Sequence, residues 1–299
     1  MTTYAIGVHM KRNHIEIGLV NRDGKVVTHQ ALSSQLDVQP AEICEQILTS
    51  IREMIKQHSL SMFDLAGLGV GIAGTIHTIE GTIISLSDEM KWVNFPIRSF
   101  FEERIELPFL FQNDANVVTL AEKWIGAAQE NDSFILLQLD PKMDGGFFVN
   151  GDVVWGKYGN AMSLDLTTMS TDRKTMSELV SGEAIARRAS AIMKTPLTLQ
   201  EVIELYQQNN QVITSLIEEV FTHLGMFCAR LIRITEPEKI VIAGEVTQVG
   251  EPLFQAIRQH VIQYTDHLAV KASEMVPSQL GKHAGMIGAA ALFLADVKG

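Results

Sequence analysis

Apolar and polar residues alternate from Tyr4 to Val8 and again from Ile15 to Val20, and Asp23-Gly24 marks a turn before Lys25-Val26-Val27. Alternation sends every second side chain to one face of a strand, so this stretch predicts an opening β-meander. The period then changes. Ala41, Ile43, Ile47, Leu48, Ile51, Met54 and Ile55 recur at helical spacing after Asp37 and Pro40, which predicts a helix packed on the meander. Residues 65–74 form an apolar, glycine-interrupted run that reads as a buried strand emptying into a glycine loop. Pro108-Phe-Leu-Phe111 reads as a second short buried strand ending at Gln112-Asn113-Asp114.

Beyond Asp114 the spacing of Val117, Val118, Leu120, Ala121, Trp124 and Ile125 is helical, with the Asp114 carboxylate at the end a helix dipole favours. Ser133–Leu139 and Gly145–Val154 predict a strand and a hairpin closed at Asn150-Gly151, the start of a second meander. Helices are expected near 176–193, 199–208, 212–234, 252–266 and 284–296, interrupted by the buried strand Lys239-Ile-Val-Ile-Ala-Gly244. Two β-then-helix halves follow: an α/β domain over residues 1–115, a larger one over 116–283, and a final helix near 284–299 packing back on the first.

Composition narrows the function. With 299 residues the chain is long enough for two cores. A formal net charge of −11 opposes a polyanion, so direct nucleic-acid binding is not expected. Cys44 and Cys228 lie far apart and outside metal-ligand spacing, which fits a reducing compartment. The N-terminus has no long apolar segment and no stretch offers about 20 apolar residues, so a cytoplasmic location without membrane contact is expected.

Phe111-Gln-Asn-Asp-Ala-Asn-Val-Val-Thr-Leu-Ala-Glu-Lys-Trp-Ile-Gly-Ala127 carries a family resemblance. Gly67-Leu-Gly-Val-Gly-Ile-Ala-Gly74, Lys91-Trp-Val-Asn-Phe-Pro-Ile97, Gly145-Gly-Phe-Phe-Val-Asn-Gly151, Glu236–Gly244 and Gly285-Met-Ile-Gly-Ala-Ala290 support it in order. The chain resembles the ROK family (repressor, open reading frame, kinase) of sugar kinases and sugar-responsive repressors. The resemblance implies a two-domain actin-like ATPase fold, ribonuclease H-like and of ROK type, closing on a sugar. It also implies that Asp114 removes the proton of the attacking sugar hydroxyl, an alcohol being a poor nucleophile until deprotonated. Asn113 and Gly74 join Asp114 in sugar binding on this reading. The plainer role for Asp114 is to cap the following helix.

Other family positions depart. Where the kinases carry an aspartate and a glycine-glycine-threonine turn, this chain has His9-Met10-Lys11-Arg12-Asn13, which removes the metal-positioning carboxylate. The second phosphate loop corresponds to Asp140-Pro141-Lys142-Met143-Asp144. Pro141 has no N–H, and at an effective dielectric near 20 each carboxylate within about 4 Å of a phosphate charge costs on the order of 4 kcal/mol. Gly145, Gly146 and Gly244 are the residual nucleotide-loop positions. The family's zinc and sugar segment corresponds to Ala161-Met-Ser-Leu-Asp-Leu166, without cysteine, and histidines are sparse, so neither zinc nor another bound metal is expected in this chain. Leu166 offers no hydrogen bond to a sugar, Asp165 compensates only with a shift of register, and a further sugar-binding glutamate is replaced by Ser177, next to Glu178.

Other features have ordinary readings. The histidines at 9, 14, 29, 58, 77, 223, 260, 267 and 283 form no spaced pair on a helix face and read as surface or core residues. Met162, Met169 and Met176 read as gap-filling core. Gly67, Gly69, Gly71 and Gly74 read as permitting close backbone approach at an interdomain cleft.

The leading expectation is a catalytically impaired kinase homologue that binds a sugar or sugar phosphate. An active hexose or N-acetylhexosamine kinase using Mg-ATP and Asp114 is the alternative. A regulator working through a partner, without its own helix-turn-helix, is a third. Homodimerisation is implied by the family.

Overall fold

The computed structural model describes residues 4–11, 14–33, 38–86, 92–139, 142–164, 167–168, 174–265 and 274–295. Arg12, Asn13, Lys91, Asp140, Pro141, Asp165, Leu166, Met169 and His267, weighed above, lie outside the described residues. In chain order the strands are β1 (Tyr4–Met10), β2 (Ile15–Asn21), β3 (Val26–Leu32), β4 (Leu65–Ile72), β5 (Gly74–His77), β6 (Thr82–Leu86) and β7 (Phe109–Asn113). They continue as β8 (Ser133–Gln138), β9 (Asp144–Val149), β10 (Asp152–Val153), β11 (Lys239–Ala243) and β12 (Glu274–Pro277). The helices are α1 (Pro40–Gln57), α2 (Ile97–Glu102), α3 (Asp114–Ile125), α4 (Met176–Val180), α5 (Gly182–Met193), α6 (Leu199–Gln207), α7 (Gln211–Thr235), α8 (Glu251–Tyr264) and α9 (Ala284–Leu294).

Two compact units share these elements. The first comprises residues 1–129, 151–161 and 280–299, so α3 lies within it, past residue 115. Its sheet has the order β3-β2-β1-β4-β7, with β1, β4 and β7 parallel. Side chains of alternating residues settle what covers each face. Ile6, Val8, Met10, Ile17 and Leu19 enter one core with Ile43, Ile47, Leu48 and Ile51 of α1. Full burial of each such side chain contributes roughly 1.5–3 kcal/mol.

The opposite face carries glycines where helices cross it. Gly7, Gly18 and Gly69 lie against Met286 and Ala289 of α9, and a Cβ at Gly69 would collide with the Ala289 carbonyl oxygen. Gly71 similarly faces Val117 of α3, and Gly67 faces Phe293. These glycines therefore seat two helices of their own unit, rather than the cleft the sequence suggested for them. The α9 sequence, AGMIGAAALFL, is small and apolar on nearly all sides, as a helix buried between a sheet and α3 requires. The expected glycine loop after β4 is instead the hairpin β5–β6, whose Gly74 packs against the Ser85 carbonyl.

The second unit comprises residues 130–150 and 162–279. Its strands follow the order β9-β8-β11-β12, antiparallel at β9 and parallel across the other pairs. Its core gathers Ile135, Leu137, Ile240 and Ile242 with Val220, Leu224 and Cys228 of α7. By length and apolar content α7 passes for a membrane span, yet its apolar stripe lies in this core. The helix expected over 176–193 is two helices. Ser181 adopts an extended conformation and its hydroxyl accepts the Ala184 N–H, which ends α4 and caps α5.

Candidate functional site

The parallel register His9↔Gly71 and Gly71↔Gln112 brings the carboxyl ends of β1, β4 and β7 to one edge of the first unit's sheet. Sites in α/β sheets collect at such edges. At the end of β7, Asn113 turns the chain into α3. Its Oδ1 accepts the Ala115 N–H at 2.9 Å, and its Nδ2 donates to the Gly74 carbonyl at 3.3 Å. Asn113 is thus the N-cap and Asp114 the first helical residue, so the capping role anticipated for Asp114 belongs to its neighbour. Asn113, Asp114 and Gly74 sit together, with the Asp114 carboxylate at the positive end of a 12-residue helix.

Asp114 is 5% exposed and His9 2%. His9 Nε2 lies 3.6 Å from Asp114 Oδ2, and neither His9 nitrogen has a hydrogen-bond partner. The imidazole fits there because residue 285 is glycine: a Cβ at that position would collide with the ring. Sequence reasoning placed His9 where family kinases carry an aspartate but read it as an ordinary histidine. Its contact with Asp114 depends on the sheet order, which the spacing of residues 9 and 114 does not reveal. Lys11 sits at the tip of the first hairpin, its N–H bonded to the His14 carbonyl.

The remaining sequence-derived positions fall in the second unit. Gly145 and Gly146 lie within β9, paired with Leu137 and Leu136 of β8. The Gly145 N–H is bonded to Asp144 Oδ1, which also accepts from Leu164 N. Gly244 follows β11 at φ 116°, a conformation open to glycine, and its carbonyl accepts from the Thr247 hydroxyl. A cavity of about 240 Å³ is lined by Lys142, Thr175, Ser177, Ser181 and Arg187, with Glu178 and Glu183 at its wall. The Ser177 hydroxyl accepts the Met143 N–H. Backbone and hydroxyl hydrogen bonds from Thr175 hold the Glu178 carboxyl below its usual range. The cavity therefore opens on hydroxyls, two cations and two carboxylates, a mixed polar lining rich in hydrogen-bonding groups. Ser163 is exposed.

The ROK family model matches residues 5–296. The chain belongs to the ROK family. A glucokinase of Halalkalibacterium halodurans is 26% identical over 95% of this chain and 92% of its own length. The xylose repressor of Caldicellulosiruptor bescii is 23% identical over 98% of this chain and 78% of its own length. Among solved structures, the ROK hexokinase of Thermus thermophilus superposes with a TM-score of 0.84 at 22% identity, covering 96% of this chain and 97% of that one. The fold is accordingly the actin-like one of ROK sugar kinases, and relatives on this scaffold include both kinases and regulators.

Proposed function

We propose that this ROK-family chain is a catalytically impaired sugar-kinase homologue that binds a sugar or sugar phosphate in a regulatory role. The observation that carries the reading is the burial of His9 against Asp114. Magnesium takes oxygen ligands in near-octahedral geometry, and an imidazole in place of a carboxylate does not meet that need. In the second unit, the Gly145 N–H is already taken by Asp144, whose negative charge opposes a triphosphate at the same loop. The residues at both phosphate-loop positions thus do not fit a magnesium nucleotide, and no step through one is derived.

The sugar pole is better preserved. Asn113 retains one amide hydrogen and a carbonyl lone pair beyond its two backbone bonds, and Asp114 lies beside it.

Calorimetry with hexoses, N-acetylhexosamines and their phosphates, run beside an ADP-release assay with Mg-ATP, tests this reading. The expected result is sugar or sugar-phosphate heat without ADP release. Sugar-dependent turnover that vanishes in Asp114→Ala would establish the kinase alternative instead.

A further inference from the structure

Strand β1 is separated from β7 by β4, and the register across the three runs His9↔Gly71↔Gln112. Neighbouring strands lie about 4.8 Å apart, so a side chain of β1 meets the end of β7 only by crossing roughly 10 Å of sheet. Residue 71 is glycine, and no side chain there stands in that path. The His9 imidazole takes it and ends with Nε2 3.6 Å from Asp114 Oδ2, on the first turn of α3. Gly285 of α9 closes over the ring's other edge, where a Cβ would strike Nδ1 and Cε1. Two positions without side chains, one on a strand and one on a helix, thus hold the ring in a single place.

Both ring nitrogens are buried and without a hydrogen-bond partner. Buried polar groups are nearly always hydrogen-bonded, so a ring seated this way calls for a bond close at hand. Two carboxylates compete for it. Glu16 pairs with His9 across β1 and β2, but its Oε1 meets His14 at 3.2 Å and His283 at 3.8 Å instead. Asp114 remains. Its oxygen is about 0.7 Å beyond the length of a charge-assisted N–H···O bond, a gap that a small turn of the carboxylate closes. Hydrogen bonds at binding sites are often long before a ligand arrives and tighten with it.

We propose that His9 is the positioning residue of Asp114. With its proton on Nε2, the ring donates to Oδ2 and holds the carboxylate in one rotamer, with Oδ1 turned to a ligand hydroxyl beside the Asn113 amide. A carboxylate has about four lone-pair sites, so one bond to the imidazole leaves it able to accept from a ligand. Orienting the acceptor beforehand lowers the ordering cost of binding. The ligand in this account rests on the sugar-binding reading, whereas the pairing of His9 with Asp114 does not.

The test has one arm without ligand and one with it, both on the full chain. In the first, Asp114→Ala is made in the parent, in His9→Gln, which keeps an N–H donor, and in His9→Leu, which keeps only the bulk. The urea midpoint should fall clearly in the first two backgrounds and less in the third, where Asp114 already lacks its donor. His9→Met replaces His9→Leu if that variant does not fold. In the second arm, calorimetry with hexoses and N-acetylhexosamines should find His9→Gln close to the parent and His9→Leu weaker by at least about tenfold, the weight of a hydrogen bond to a charged group. Rescue by glutamine separates donation from packing, which leucine supplies equally. An equal fall of the midpoint in all three backgrounds, or parental sugar affinity in His9→Leu, would overturn the proposal. A parent chain that gives no heat with any sugar would defeat the sugar reading, and the midpoints would still decide the pairing.

Discussion

The imidazole of His9 occupies the space that a side chain at Gly285 would need, so the first residues of α9 and the end of β1 are fitted to each other. The histidine is thus accommodated by a glycine on a helix 276 positions further along the chain (285 − 9).

Gly285→Ala should improve the intrinsic helix propensity of α9 and still destabilise the protein. Overpacking against a ring that is itself buried costs about 1–3 kcal/mol, against about 1 kcal/mol gained in propensity. The urea midpoint should fall, with most of the loss recovered in Gly285→Ala/His9→Ala.

Asn113→Ala removes the cap of α3 and the bond to Gly74 together. A loss of about 1–2 kcal/mol is expected, read as a lower melting temperature. Asp114→Asn keeps shape and cap, so its melting temperature should stay within a few degrees of the parent. Its sugar heat in calorimetry should disappear.

How far the sequence revealed the site depends on how local each relationship is. Asn113 and Asp114 were legible because a buried strand, a polar pair and a helical period follow one another directly. Their division of labour was not, since N-cap and first helical residue differ by one position that periodicity does not resolve. His9 stays unreadable, because its partner Asp114 arrives through the order of strands. The glycines at 67, 69 and 71 announce close approach, but which helices approach them, α9 at Gly67 and Gly69 and α3 at Gly71, no local pattern identifies. The break at Ser181 was missed because apolar spacing runs on through it.

Backbone and hydroxyl hydrogen bonds from Thr198 hold the Glu201 carboxyl below its ordinary range. A depressed carboxylate stabilises the fold above its unfolded value, near 4.3, and loses that contribution as pH falls through the lower, folded value. The melting temperature of Glu201→Gln should trail that of the parent at pH 6, and the gap should close towards pH 3.

Burial pushes the Cys228 thiol up to about 12 and raises that of Cys44 as well. The thiolate is the reactive form, so an aromatic disulfide reagent at pH 8 should titrate neither cysteine in the native protein. Both should react at once in denaturant. Rapid labelling of the native chain would contradict the packing described for α1 and α7.

The glycine-lined face of the first sheet has a consequence for how the protein is made. Strands β1, β2 and β4 emerge early in translation, whereas α9 leaves the ribosome only after every residue of the second unit. Throughout that interval the part of the face that α9 covers has no partner, while the second unit, drawn from a nearly continuous stretch of chain, is free to fold first. The early half thus completes its core only when α9 joins it, after the second unit has been made.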